Sequence, residues 1–283
     1  MGRSYASGFA VALRRWPAVL VLFLANLLAG LTFTAASWLW LNAALDRSLA
    51  TRTLLTDLDM NVFVDLFVHH GESFRTLCHG AAGAGALFIL LGVWLNAVAI
   101  VAVCSDAGLR HWLHRGLDLY PTYLGLWLAT AVFNTIGLGA LFVAARALTH
   151  WTAHSTSEMT VYGIGGIGAA LAATLLIFSV TVHDHARIHS AATGAGTARA
   201  YAWAFSFAGR RETRAVPLTL LLVATGLVVW VAYQTVGMVI PTGSGPGLTV
   251  SLLWGQALLL WRMLLRVWTF AVAADLQNVD KTA

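Results

Sequence analysis

Residues 215–261, AVPLTLLLVATGLVVWVAYQTVGMVIPTGSGPGLTVSLLWGQALLLW, separate Arg214 from Arg262 by 47 positions without one charged side chain. The only interruption is Pro241-Thr242-Gly243-Ser244-Gly245-Pro246-Gly247, near the middle. A helix rises about 1.5 Å per residue and the hydrocarbon core of a bilayer is about 30 Å thick, so roughly 20 apolar residues cross it. The stretch therefore reads as two membrane-spanning helices joined by a tight, uncharged hairpin. Upstream, four more charge-free gaps of spanning length follow the same logic: Trp16–Leu45, Thr76–Ser105, Leu119–Ala145 and Met159–His183. The expected spans are 17–41, 80–103, 121–145, 160–182, 216–240 and 248–270. Residues 1–283 then form a single all-α membrane domain, a polytopic bundle of six transmembrane helices.

Composition agrees. The chain is 59% hydrophobic and 10% charged, against about a quarter charged in soluble domains. No soluble core of this length absorbs that much apolar surface, so lipid must be the solvent for most side chains. The net charge of +5 does not point to a nucleic-acid partner. The arginines sit at the ends of spans, where they set topology, and form no patch interleaved with aromatics. Cys78 and Cys104 fall at opposite ends of the second span, about 39 Å apart on a straight helix, too far for a disulfide between them. Sixteen arginines against one lysine suggest GC-rich coding and a bacterial source. The apolar run after Arg14-Arg15 reaches Leu45, well past a signal-peptide core of about 7–15 residues, so it reads as an uncleaved first span.

Alternate connections differ in basic charge. One side carries Arg3, Arg14, Arg15, Arg110, Arg115, Arg187, Arg199, Arg210, Arg211, Arg214, Arg262, Arg266 and Lys281; the other carries Arg47, Arg52, Arg75 and Arg146. The positive-inside rule places the first set, and both termini, in the cytoplasm. The expected location is the bacterial cytoplasmic (inner) membrane.

A recurring pattern precedes each outward span. Gly8–Trp16 leads to Pro17, Gly108–Tyr120 to Pro121, and Tyr201–Ala215 to Pro217. Proline suits a first helical turn because its missing N–H would be unpaired there, and arginine with tryptophan suits a helix in the headgroup layer. The chain thus parses as three hairpins, each with an interfacial amphipathic helix. A further amphipathic segment, about 49–74, is expected on the outer surface, its Leu55, Leu58, Val62 and Leu66 at helical spacing. Within it, Asp57, Asp59, Asn61 and Asp65 have calcium-loop spacing, but Val62 and Val68 stand where the loop needs glycine and a bidentate acid. The glycine- and alanine-rich runs 80–86 and 163–173 are expected to pack helices closely.

The Pro-started hairpins, the acid-and-leucine segment and His183-Asp184-His185-Ala186-Arg187-Ile188 resemble a group of uncharacterised six-span bacterial membrane proteins. The layout is similar to the membrane region of some glycerophosphodiester phosphodiesterases. No phosphodiesterase domain accompanies it in these residues, so the resemblance implies an integral membrane protein rather than that activity.

Candidate chemistry is sparse. In His183–His189 the pair His185 and His189, four apart on one helical face, has metal-ligand spacing. The competing reading is that these residues meet the dipole and cap the carbonyls at the end of span four. A di-iron histidine centre is disfavoured because topology divides the ten histidines five and five. Arg262 and Arg266 lie inside an otherwise apolar span, where a charge snorkels, pairs or lines a cavity. Asp184 is the expected partner of one of them, and exchanging the charges of Asp184 and Arg266 should restore stability. Together with Arg187, these residues are also candidates for an anionic headgroup. Walker, His-Glu-x-x-His and Gly-x-Ser-x-Gly signatures are absent, so no cofactor and no enzymatic activity is expected. The expected role is an accessory or scaffold component whose partners are membrane lipids and other membrane proteins. The alternatives are a small transporter or lipid-handling protein, with a cavity lined by Asn26, Asn96, Asn134, Tyr233 and Gln234, and a histidine-dependent membrane metalloenzyme.

Overall fold

The computed structural model describes residues 2–45, 60–151, 158–210, 214–240 and 245–282. These form eight helices and, among the described residues, no strand: α1 Gly2–Arg14, α2 Trp16–Leu45, α3 Met60–Cys104, α4 Leu109–Trp151, α5 Glu158–Thr193, α6 Thr197–Gly209, α7 Ala215–Gly237 and α8 Gly245–Thr282. Six of them, α2, α3, α4, α5, α7 and α8, are long and apolar enough to cross a membrane. The protein is an all-α, multi-pass membrane protein. α1 and α6 are the short helices expected before spans one and five.

Several boundaries differ from the sequence expectation. Leu109–Tyr120 is not a separate interfacial helix; it forms the first turns of α4, with Pro121 inside the helix. Trp112, Leu119 and Tyr123 on either side of the proline are buried, and this packing carries the helix across the hydrogen bond that proline cannot make. Pro17 and Pro217 do lie in first turns, of α2 and α7. Of the outer segment 49–74, residues 49–59 lie outside the described residues, as do Asp57 and Asp59 of the calcium-like spacing. Residues 60–74 run straight into span two as part of the 45-residue α3.

The chain groups into two compact units, Leu22–Gly92 and the remainder, Met1–Val21 with Val93–Ala283. In the smaller unit, the Trp40 indole N–H donates to Ser73 Oγ at 3.1 Å and its ring meets Phe74 with centroids 5.3 Å apart. These contacts join α2 to α3.

In the larger unit α4 packs on α5, α7 on α8, and α1 on α8. Lipid tails are as apolar as leucine, so association rests on close packing and hydrogen bonds rather than on hiding surface from water. Close approach occurs at particular glycines. A Cβ on Gly8 would stand 2.5 Å from Val272 Cγ2, one on Gly116 would stand 2.8 Å from Val98 Cγ2, and one on Gly137 would stand 2.6 Å from Leu175 Cδ2. The glycine-rich runs do not behave as expected. Cβ atoms on Gly80, Gly83, Gly85, Gly163, Gly165, Gly166 and Gly168 would meet nothing within 4 Å. A small-residue face permits close approach without enforcing it, and these glycines are not points of close contact among the described residues. The fully buried side chains of this unit, including Tyr123, Leu126, Val182, Phe207, Val267 and Phe270, gather toward the end that holds both termini. We call this the closed end.

Candidate functional site

The core of the closed end is the stretch of α5 expected to cap a helix terminus. α5 continues to Thr193 with no basic residue in its last turn, so His183, His185 and Arg187 cap nothing. Every residue from Thr181 to Ile188 is buried. A helix enclosed on all sides normally carries apolar residues all round. This one carries a carboxylate, a guanidinium and two imidazoles, and each needs a partner from a neighbouring helix.

Asp184, 2% exposed, receives both prongs of Arg266 from α8. Nη1 donates to Oδ2 at 3.0 Å and Nη2 to Oδ1 at 3.1 Å, a bidentate pair. Arg266 Nε donates to Asn96 Oδ1 on α3 at 3.2 Å, and its guanidinium lies 4.4 Å from the Phe270 ring centroid. Of the two pairings open to Asp184 from sequence, the structure forms the one with Arg266. Arg262, one turn away on α8, is exposed. Arg187, 3% exposed, holds Nη1 3.7 Å from Asp184 Oδ1, and its Nε has no hydrogen-bond partner. The Tyr123 hydroxyl on α4 donates to the Arg187 carbonyl at 2.8 Å, while the Arg187 guanidinium sits 5.9 Å from the Tyr123 ring centroid. Two guanidiniums thus share one carboxylate, and the group carries one net positive charge.

The histidines diverge. Thr130 Oγ1 gives its proton to the Leu126 carbonyl and sits 2.7 Å from His183 Nδ1, so the histidine nitrogen is the donor of that bond. Gln277 Nε2 donates to the His185 carbonyl at 3.0 Å and to His185 Nδ1 at 3.2 Å. That Nδ1 is therefore an acceptor and His185 is neutral. Its ring meets Phe207 at 4.8 Å. His189 stacks on Trp203 of α6, centroids 4.0 Å apart and 8° from parallel. The metal-ligand spacing of His185 and His189 is thus used to anchor two different neighbours. Among the described residues no three His, Cys, Asp or Glu side chains form a group that could hold a metal ion.

Tyr123, Thr130 and Gln277 are members of this network that the sequence did not single out. Gln277 carried a signal, because Arg266, Phe270 and Gln277 fall at i, i+4 and i+11, one face of α8. Asn96, expected from sequence to line a cavity, instead accepts from Arg266. Of the other residues proposed to line a transport cavity, Asn26 donates to its own helix at the Leu22 carbonyl and Tyr233 stacks on Trp254, centroids 5.7 Å apart, while Asn134 Oδ1 is buried without a hydrogen-bond partner. An apolar groove of about 700 Å³ lies between α4, α5 and α7, lined by Gly137, Ala140, Leu171, Leu175 and Leu220 among others.

Comparison with protein-family models, curated proteins and solved structures gives no match.

Proposed function

We infer that this protein is a non-enzymatic accessory or scaffold component of the bacterial cytoplasmic membrane, with both termini in the cytoplasm and lipids and other membrane proteins as its partners. We place it with the six-span bacterial membrane proteins its layout resembles. The observation that carries the reading is the closed end itself. Asp184, Arg266, Asn96, His183, Thr130, His185 and Gln277 satisfy one another across α3, α4, α5 and α8. A transporter opens its centre alternately to the two sides, and such interlocking works against that. Arg262, exposed on α8, is left to lipid headgroups.

Two thiol-labelling measurements test this. For orientation, Cys78 and Cys104 are both exposed and stand about 39 Å apart along α3. A membrane-impermeant maleimide added to sealed cells should modify Cys78 and spare Cys104; the reverse pattern would invert the topology. For the static core, Ala186→Cys and Ala271→Cys replace buried alanines of α5 and α8. In a Cys-free background both thiols should stay protected from reagent on either side of the membrane. Modification of position 186 from either side in folded protein would replace the scaffold reading with an alternating one.

A further inference from the structure

The loop 105–108 joins α3 to α4 at the closed end, and a cavity of about 430 Å³ opens beside it. That volume falls in the range of small-molecule sites, about 300–1,000 Å³. Its walls are Cys104 at the end of α3, Ser105 of the loop, His111 and Arg115 near the start of α4, Ala191 of α5 and Ala274 of α8. His111 also lines an adjoining recess with Arg110 and His114. The two concavities together present two arginines, two histidines and no carboxylate.

Three acids adjoin these walls in sequence, and each has a partner. Asp106 is engaged by Arg15, and Asp275 accepts from Ser7 Oγ at 3.4 Å. Asp118 lies 3.6 Å from Arg115, in a pair whose side chains are 58% and 44% exposed; so solvated a pair holds Arg115 weakly. Behind the cavity, Arg187 lies one helical turn before Ala191 on α5, and the Asp184–Arg187–Arg266 group keeps its net positive charge in a buried setting where screening is slight. Candidate span two ends and candidate span three begins here, where a chain that crosses a bilayer emerges toward its surface.

We propose that this cavity binds a phosphate group, carried as a phosphodiester by a lipid headgroup or as a phosphomonoester by a soluble metabolite. Arg115 supplies the two-pronged contact that a guanidinium makes to phosphate, and His111 supplies a ring N–H from the neighbouring turn. A tetrahedral phosphate presents oxygens in several directions, which suits donors placed around a cavity better than a flat carboxylate does. The site is separate from the buried network and does not depend on the scaffold reading, because a static bundle can hold a headgroup.

The test is native mass spectrometry of the full-length protein, delipidated in a neutral detergent and offered phosphatidylglycerol, diacylglycerol or glycerol 3-phosphate in turn. One phosphatidylglycerol should bind in clear preference to diacylglycerol. His111→Gln with Arg115→Gln should weaken it about tenfold or more, the scale of lost charge-assisted hydrogen bonds. Ala192→Glu adds an acid at an exposed position of the same wall and removes no contact, so it should weaken binding without disturbing the fold. Arg75→Gln, near the opposite end of span two from the cavity, should leave binding unchanged. Glycerol 3-phosphate that binds alone and displaces the lipid identifies a soluble source; binding of the lipid only identifies a headgroup. Preference for neither phosphate compound over diacylglycerol, or unchanged binding in both wall variants, overturns the proposal.

Discussion

Neutralising Asp184 should damage this protein more than neutralising Arg266, although the two form one ion pair. At an effective dielectric of about 20, unit charges at the 3.0 Å of Asp184–Arg266 attract by about 5.5 kcal/mol, and at the 3.7 Å of Asp184–Arg187 by about 4.5 kcal/mol, before desolvation takes back much of the gain. Asp184→Asn removes the only anion of the group and leaves two guanidiniums facing each other, one of them almost fully buried. Stranding a buried charge in this way costs about 3–5 kcal/mol. Arg266→Gln leaves Asp184 with Arg187, and the lost side chain was 32% exposed, so the expected cost falls to about 1–2 kcal/mol. The double variant should be less damaged than the sum of the singles by about 1–2 kcal/mol. The geometry also revises the charge-exchange experiment suggested by sequence. An arginine at position 184 would lie one turn from Arg187, so Asp184→Arg with Arg266→Asp should recover little. The assay is reversible unfolding in mixed micelles by titration with sodium dodecyl sulfate, followed by tryptophan fluorescence. A cost for Arg266→Gln equal to that for Asp184→Asn would refute the idea that Arg187 is a second partner. Strict additivity of the two singles would refute the direct pair.

The same assay checks four further expectations. Gly8→Ala places a methyl 2.5 Å from Val272 Cγ2 and should cost about 1–3 kcal/mol by overpacking. Gly163→Ala meets open space and should be neutral or stabilising by about 0.5–1 kcal/mol, the helix preference of alanine; equal losses at the two sites would contradict the packing described. Tyr123→Phe removes the hydroxyl that pairs the Arg187 carbonyl at 2.8 Å, with an expected loss of about 0.5–1.5 kcal/mol, because that carbonyl keeps its helical partner within α5. Arg262→Gln, at an exposed position, should change stability by less than about 0.5 kcal/mol, and a loss matching that of Arg266→Gln would show that both arginines are structural.

What sequence alone determined here is whatever depends on composition along the chain. Uninterrupted apolar length sets the number of spans, as in 215–261, because a bilayer imposes a minimum run without charge. Basic residues between spans set the expected orientation. The depth of Arg266 was readable by counting along its helix, and so was the need for an acid such as Asp184. The tertiary structure decided which residues meet. Asp184 chose Arg266 over Arg262 because the two arginines share a face of α8 but lie one turn apart along it, and only Arg266 is level with Asp184. His185 and His189 kept their helical spacing but met Gln277 and Trp203, since spacing on one helix says nothing about what other helices bring. The glycine runs at 80–86 and 163–168 were equally ambiguous, because a small residue permits close approach without specifying a neighbour. Helix formation and insertion are local properties of a segment in lipid, whereas the closed end exists only where α3, α4, α5 and α8 bring complementary polar groups to the same depth.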